Sequence, residues 1–77
     1  MPWSPLLYTK QIFENLKRKG FENEVHLMEL RRAIMQETKL VKSESISNTI
    51  RAFEELGYIS RTGDNIFKIN WDAIEVA

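Results

Sequence analysis

The 77-residue chain contains no cysteine, which excludes a disulfide framework and any thiolate metal site. It has one histidine, His26, and a lone imidazole cannot build a zinc centre, so a local structural role is expected for it. There is no glycine-rich phosphate loop among its three scattered glycines. No apolar run approaches membrane-spanning length. The opening MPWSPLLYTK lacks the charged start and apolar centre of a secretory signal, so a cytoplasmic protein is the simplest expectation. An excess of either charge is also missing, with eleven Lys and Arg against eleven Asp and Glu. A dedicated nucleic-acid binder usually carries a basic excess or a basic face; here a positive face must come from distribution. No Cys–His or Ser–His–Asp set assembles. Glu54 and Glu55 are adjacent, and adjacent helix residues point apart. An enzyme, a bound metal, a cofactor and a small-molecule ligand are therefore not expected.

What is present suits one small folded domain over residues 1–77, with an arm at 1–5 and a short tail at 72–77 read as either one helical turn or disordered. The hydrophobic fraction of 43% is that of a folded chain rather than a disordered one. Its organising stretch is Ser43 to Ile59, SESISNTIRAFEELGYI. Ile46, Ile50 and Phe53 recur at helical spacing, and Leu56 extends the stripe. Ser43 is the expected N-cap, Glu44 suits the positive end of the helix dipole, and Gly57 suits the left-handed position beyond the last turn. Away from the stripe stand Ser45, Ser47, Asn48 and Arg51, short hydrogen-bonding groups with one long cation. Small residues permit close approach to a DNA major groove, and Asn and Arg match base edges.

The rest of the chain arranges itself around that helix. Ser4-Pro5 marks a helix start, and the first helix is expected from about Leu6 to Lys19, with Tyr8, Ile12, Phe13 and Leu16 inward. Its closing Lys17-Arg18-Lys19 either contacts phosphates or answers the helix dipole. Val25 has extended character. A second helix is expected over Leu27–Glu37, burying Leu27, Leu30 and Ile34, with Met28 or Met35 filling gaps. Glu29 follows His26 at capping-box spacing, although His is not a usual cap residue. Thr38–Lys42 is read as a connection whose Leu40 and Val41 tuck back. After Gly57 the period becomes alternating. Tyr58–Arg61 and Ile66–Trp71 read as strands about a Thr62–Asn65 turn, with Phe67, Ile69 and Trp71 on one side.

Helix, short extended piece, helix, turn, helix and hairpin: this order resembles the winged helix-turn-helix family from about Tyr8 to Trp71. The densest part is Ser45-Ile46-Ser47-Asn48-Thr49-Ile50, running on to Phe53-Glu54-Glu55-Leu56-Gly57-Tyr58-Ile59. The resemblance implies an α+β fold of three helices with a C-terminal β-hairpin wing, and a short first strand at Val25 paired with that wing. It implies a transcription regulator that binds double-stranded DNA, with helix 43–56 in the major groove and hairpin 58–71 as the wing. On that pattern Ser45, Ser47, Asn48 and Arg51 face the groove, Asn48 with the amide suited to adenine. Lys39 and Lys42 suit backbone phosphates, and Arg61 and Lys68 are the wing contacts. The chain departs from the family in lacking a glycine before the third helix and in placing Glu44 near the expected phosphate.

A single small module buries modest surface on DNA, so a homodimer on a two-fold operator is the expected form. Trp3, Leu6, Leu7, Trp71, Ile74 and Val76 are candidate dimer contacts, or else the tryptophans close the core. The alternative function is a winged-helix protein–protein interaction module in a replication or transcription assembly, which the neutral charge favours.

Overall fold

The computed structural model describes residues 8–76, ordered as α1 (Thr9–Arg18), β1 (Glu24–His26), α2 (Leu27–Thr38), α3 (Ser43–Glu55), β2 (Ile59–Gly63), β3 (Ile66–Ile69) and α4 (Trp71–Glu75). The arm and the expected first turn of α1 at Leu6 lie outside the described residues. The three strands form one antiparallel sheet in the order β1-β3-β2. Val25 stands opposite Phe67, so the short extended piece does pair with the hairpin. The result is a small α+β domain with four helices among the described residues.

One hydrophobic cluster joins these elements. α1 contributes Ile12, Phe13 and Leu16; α2 contributes Leu30, Ala33 and Ile34; α3 contributes Ile46, Ile50 and Phe53. The sheet adds Val25, Ile59, Phe67 and Ile69, and α4 adds Ile74. Each fully buried Ile, Leu or Phe contributes about 1.5–3 kcal/mol relative to exposure. Phe13 and Phe53 meet with ring centroids 5.2 Å apart, and Trp71 stands edge-on to Phe13 at 6.1 Å.

Glycine closes two of the helices. Gly57 adopts φ +81, the Gly57 N–H donates to the Glu54 carbonyl, and Tyr58 N–H reaches back to Phe53. Gly20 does the same after α1, where Phe21 N–H reaches Leu16. Both are Schellman ends, in which the left-handed residue lets the chain satisfy the last carbonyls.

Several expectations need correction. The hairpin is followed by a fourth helix, not by a continuing strand to Trp71. Asn70 is the reason: its N–H donates to the Tyr58 carbonyl, while its Oδ1 accepts from Ala73 N–H as an N-cap. Trp71 then opens α4 and donates its indole N–H to the Glu22 carbonyl. Ser43 is not the cap of α3; Lys42 holds that position without a side-chain bond, and Ser43 lies inside the first turn. Leu56 is 51% exposed, because the helix ends at Glu55 and the chain turns away. Met28 and Met35 point outward, because the step of about 100° per residue puts both on the side of α2 away from Leu30, Ala33 and Ile34. Leu40 packs on the core, but Val41 is 85% exposed. Thr38 belongs to α2, and its hydroxyl donates to the Ile34 carbonyl while accepting from Leu40 N–H. His26 does cap α2: its Nδ1 accepts from Met28 N–H at 3.3 Å.

Candidate nucleic-acid interface

Residues of an α-helix follow one another about 100° apart around the axis. With Ile46, Thr49, Ile50 and Phe53 buried, the opposite side of α3 must hold Glu44, Asn48, Arg51 and Glu55, with Ser47 on the flank between, and all five are exposed. The side chains of Asn48 and Arg51 make no hydrogen bond or ion pair with any described residue. They are one turn-step apart and stand on the same ridge. The ridge is mixed in charge, because Glu44 and Glu55 flank them.

Ser45 is on the other edge of the helix. It is half-buried beside the core side, and its backbone carbonyl accepts the Thr49 hydroxyl at 2.9 Å. It does not join the ridge. Ser47 takes a partner from α2: Arg31 donates to Ser47 Oγ at 3.1 Å and to Ser43 Oγ at 2.7 Å. Lys39 and Lys42 are exposed on the connection, on the N-terminal side of α3. Lys39 adopts φ +63, so it fills the left-handed position at the end of α2 that glycine most often takes.

The two expected wing residues part company. Arg61 faces Phe67 across the sheet, which puts it on the α3 side. Its guanidinium lies 4.8 Å from the Phe67 ring centre and 3.9 Å from a Glu54 carboxylate oxygen. Lys68 is one residue on and therefore on the opposite face, in register with Glu24 and Ser60. A bulge between Arg61 and Gly63 tightens the hairpin, whose tip is tied down where Leu27 N–H donates to the Asn65 carbonyl at 2.7 Å.

Arg31, Ser47, Arg51, Glu54 and Arg61 line a cleft of about 230 Å³ between α2, α3 and β2, with Leu27 and Ile50 as its apolar lining. Of these, Arg31 was not expected from the sequence. Its signal was available: it stands four residues after Leu27, so it lies beside the buried stripe of α2 and next to whichever helix packs there.

The basic triplet at the end of α1 is engaged with its neighbours. Lys17 lies over Trp71 at 5.7 Å, Lys19 donates to Gln36 at 2.7 Å, and Arg18 approaches Glu37 at 4.0 Å. Of the candidate dimer contacts, Trp71 and Ile74 pack into the domain's own core, Val76 is exposed, and Trp3, Leu6 and Leu7 lie outside the described residues. Among the described residues no three His, Asp or Glu side chains gather as metal ligands, and no helix is long and apolar enough to cross a membrane.

Comparison with protein-family models, with curated proteins and with solved structures finds no match to this chain.

Proposed function

We propose that this chain is a winged helix-turn-helix module that binds double-stranded DNA through the outward side of α3. The observation that carries the reading is the ridge of Asn48 and Arg51, unpartnered among the described residues, on a helix whose other side is locked into the core. On this reading α2, the 39–42 turn and α3 are the helix-turn-helix, and β2–β3 is the wing. Asn48 presents its amide to adenine, and Arg51 reaches guanine or the adjoining phosphate. Lys39 and Lys42 set the register on the backbone. Glu44 and Glu55 restrict the docking, since a carboxylate is tolerated in the groove where it accepts from a cytosine amino group and is repelled by phosphate. Ser45 and Lys68 take no part, the first because it is turned from the ridge and the second because it lies behind the sheet beside Glu24. The module acts as a cytoplasmic transcription regulator, a homodimer on a two-fold operator.

The test is selection from random duplex DNA, followed by a salt titration of the selected duplex and sizing of the complex. Affinity falls steeply with salt, with a log–log slope of about −0.9 per phosphate contacted. Absence of duplex binding at low salt overturns the reading. A second reading, a protein-interaction module, is favoured by the two carboxylates on the ridge and by exposed Val41 and Leu56 at the two ends of α3. It expects a protein partner whose binding lacks the steep counter-ion-release slope of a duplex.

A further inference from the structure

We propose that the cleft between α2, α3 and β2 is an oxyanion site for a phosphate group, held by Arg31, Arg51 and Arg61. The inference deepens the duplex reading and rests on it only for the source of that phosphate. Three cations from three elements line one cleft with a single carboxylate, Glu54. Arg31 is held in place without being neutralised, because both of its partners, Ser43 and Ser47, are uncharged hydroxyls. A guanidinium has five N–H donors, so three remain to bind an oxyanion. Arg51 has no partner among the described residues. Arg61 is steadied over the Phe67 ring, and its distance of 3.9 Å to Glu54 is an ion pair too long for a hydrogen bond. Planar guanidinium forks match the oxygens of phosphate, and Leu27 and Ile50 supply the apolar lining of the cleft.

This gives Ser47 a role different from base reading and Ser43 one different from capping. They are positioning residues that hold the Arg31 fork across the α2–α3 junction. Glu54 is the internal counter-ion that Arg61 leaves when phosphate arrives.

The experiment uses the full chain and two probes. Inorganic phosphate is titrated at low ionic strength while arginine Nε–H resonances are followed by NMR, and duplex DNA is titrated by anisotropy across a salt series. The variants are Arg31→Gln, the double variant Ser43→Ala with Ser47→Ala, and Glu54→Gln, each checked for an unchanged amide spectrum outside the cleft. Phosphate is expected to move the Arg31, Arg51 and Arg61 signals together. Arg31→Gln weakens phosphate and duplex binding about tenfold, as loss of a charged hydrogen bond does, and lowers the salt slope by about one. The double serine variant weakens both while retaining every charge, which separates positioning from net charge and serves should Arg31→Gln misfold. Glu54→Gln tightens both about two- to fivefold, as expected for removal of an exposed ion-pair partner. Duplex binding that Arg31→Gln and the serine variant leave unchanged, with no phosphate response, overturns the cleft and leaves the duplex reading standing. A phosphate response without duplex binding supports the cleft and overturns the duplex reading. No response to either probe overturns both.

Discussion

The two sides of α3 obey different physics. The inner side is apolar and continuous with the core through Ile46, Ile50 and Phe53, while the outer side carries Asn48 and Arg51 with no partner among the described residues. Atoms on the first side contribute to folding through lost water contact and close packing. Atoms on the second contribute almost nothing to folding and are available to another molecule. Between them runs a flank, Ser43, Ser47 and Glu54, whose side chains meet Arg31 and Arg61 from other elements. A helix with one side committed to the core, one coupled flank and one side unpartnered among the described residues holds that last side still.

Mutations can break this contrast. Phe53→Ala removes a fully buried ring that touches Phe13, and is expected to cost about 3–5 kcal/mol. Thermal unfolding measures it, and a melting temperature equal to the parent's would mean that the inner side has been misplaced. Asn48→Ala is expected to leave the melting temperature within error while removing about 1–3 kcal/mol of base discrimination. Repeating the duplex selection with the variant checks it; an unchanged preferred sequence rules Asn48 out as a reader. His26→Ala removes the side-chain acceptor at the start of α2 and should cost about 1 kcal/mol, read from denaturant midpoints. Lys39→Gly relaxes the left-handed backbone at φ +63 and should stabilise by up to about 1 kcal/mol. It also removes a cation, so the same protein should bind duplex more weakly, with a shallower salt slope. Leu56→Ala should move stability by less than about 0.5 kcal/mol, because that side chain stands mostly in water.

The ends of α2 and α3 show why some features were legible and others were not. Gly57 announced the end of α3, since a glycine after a helical stripe fits a left-handed position at no steric cost. The end of α2 had no such mark. Lys39 takes the same backbone region because the Thr38 hydroxyl bonds both the Ile34 carbonyl and Leu40 N–H, and that arrangement holds the turn. The start of α3 misled for a related reason. Ser43 has the chemistry of a cap, but its hydroxyl is engaged by Arg31, and the chain enters the helix one residue earlier. Asn70 carried a readable cap signal that the alternation of Phe67, Ile69 and Trp71 obscured. Arg61 and Lys68 were expected together as hairpin contacts, yet Arg61 stands opposite Phe67 and the two-residue period puts Lys68 on the other face.

The pairing of Val25 with the hairpin was expected from the family resemblance alone. The sequence by itself determined the order of the elements as far as β3, the apolar stripes of α1, α2 and α3 and the outward placement of Asn48 and Arg51. These follow from periodicity and from turn chemistry, which act over a few neighbouring residues. Only the tertiary structure decided that Arg31 reaches Ser43 and Ser47, that Arg61 turns toward Glu54, that Leu40 is covered while Val41 is not, and that Trp71 closes the core from a fourth helix. Each of those depends on how closely and at what angle two distant segments cross, and side-chain partnerships between elements are settled by that crossing rather than by the spacing within either one.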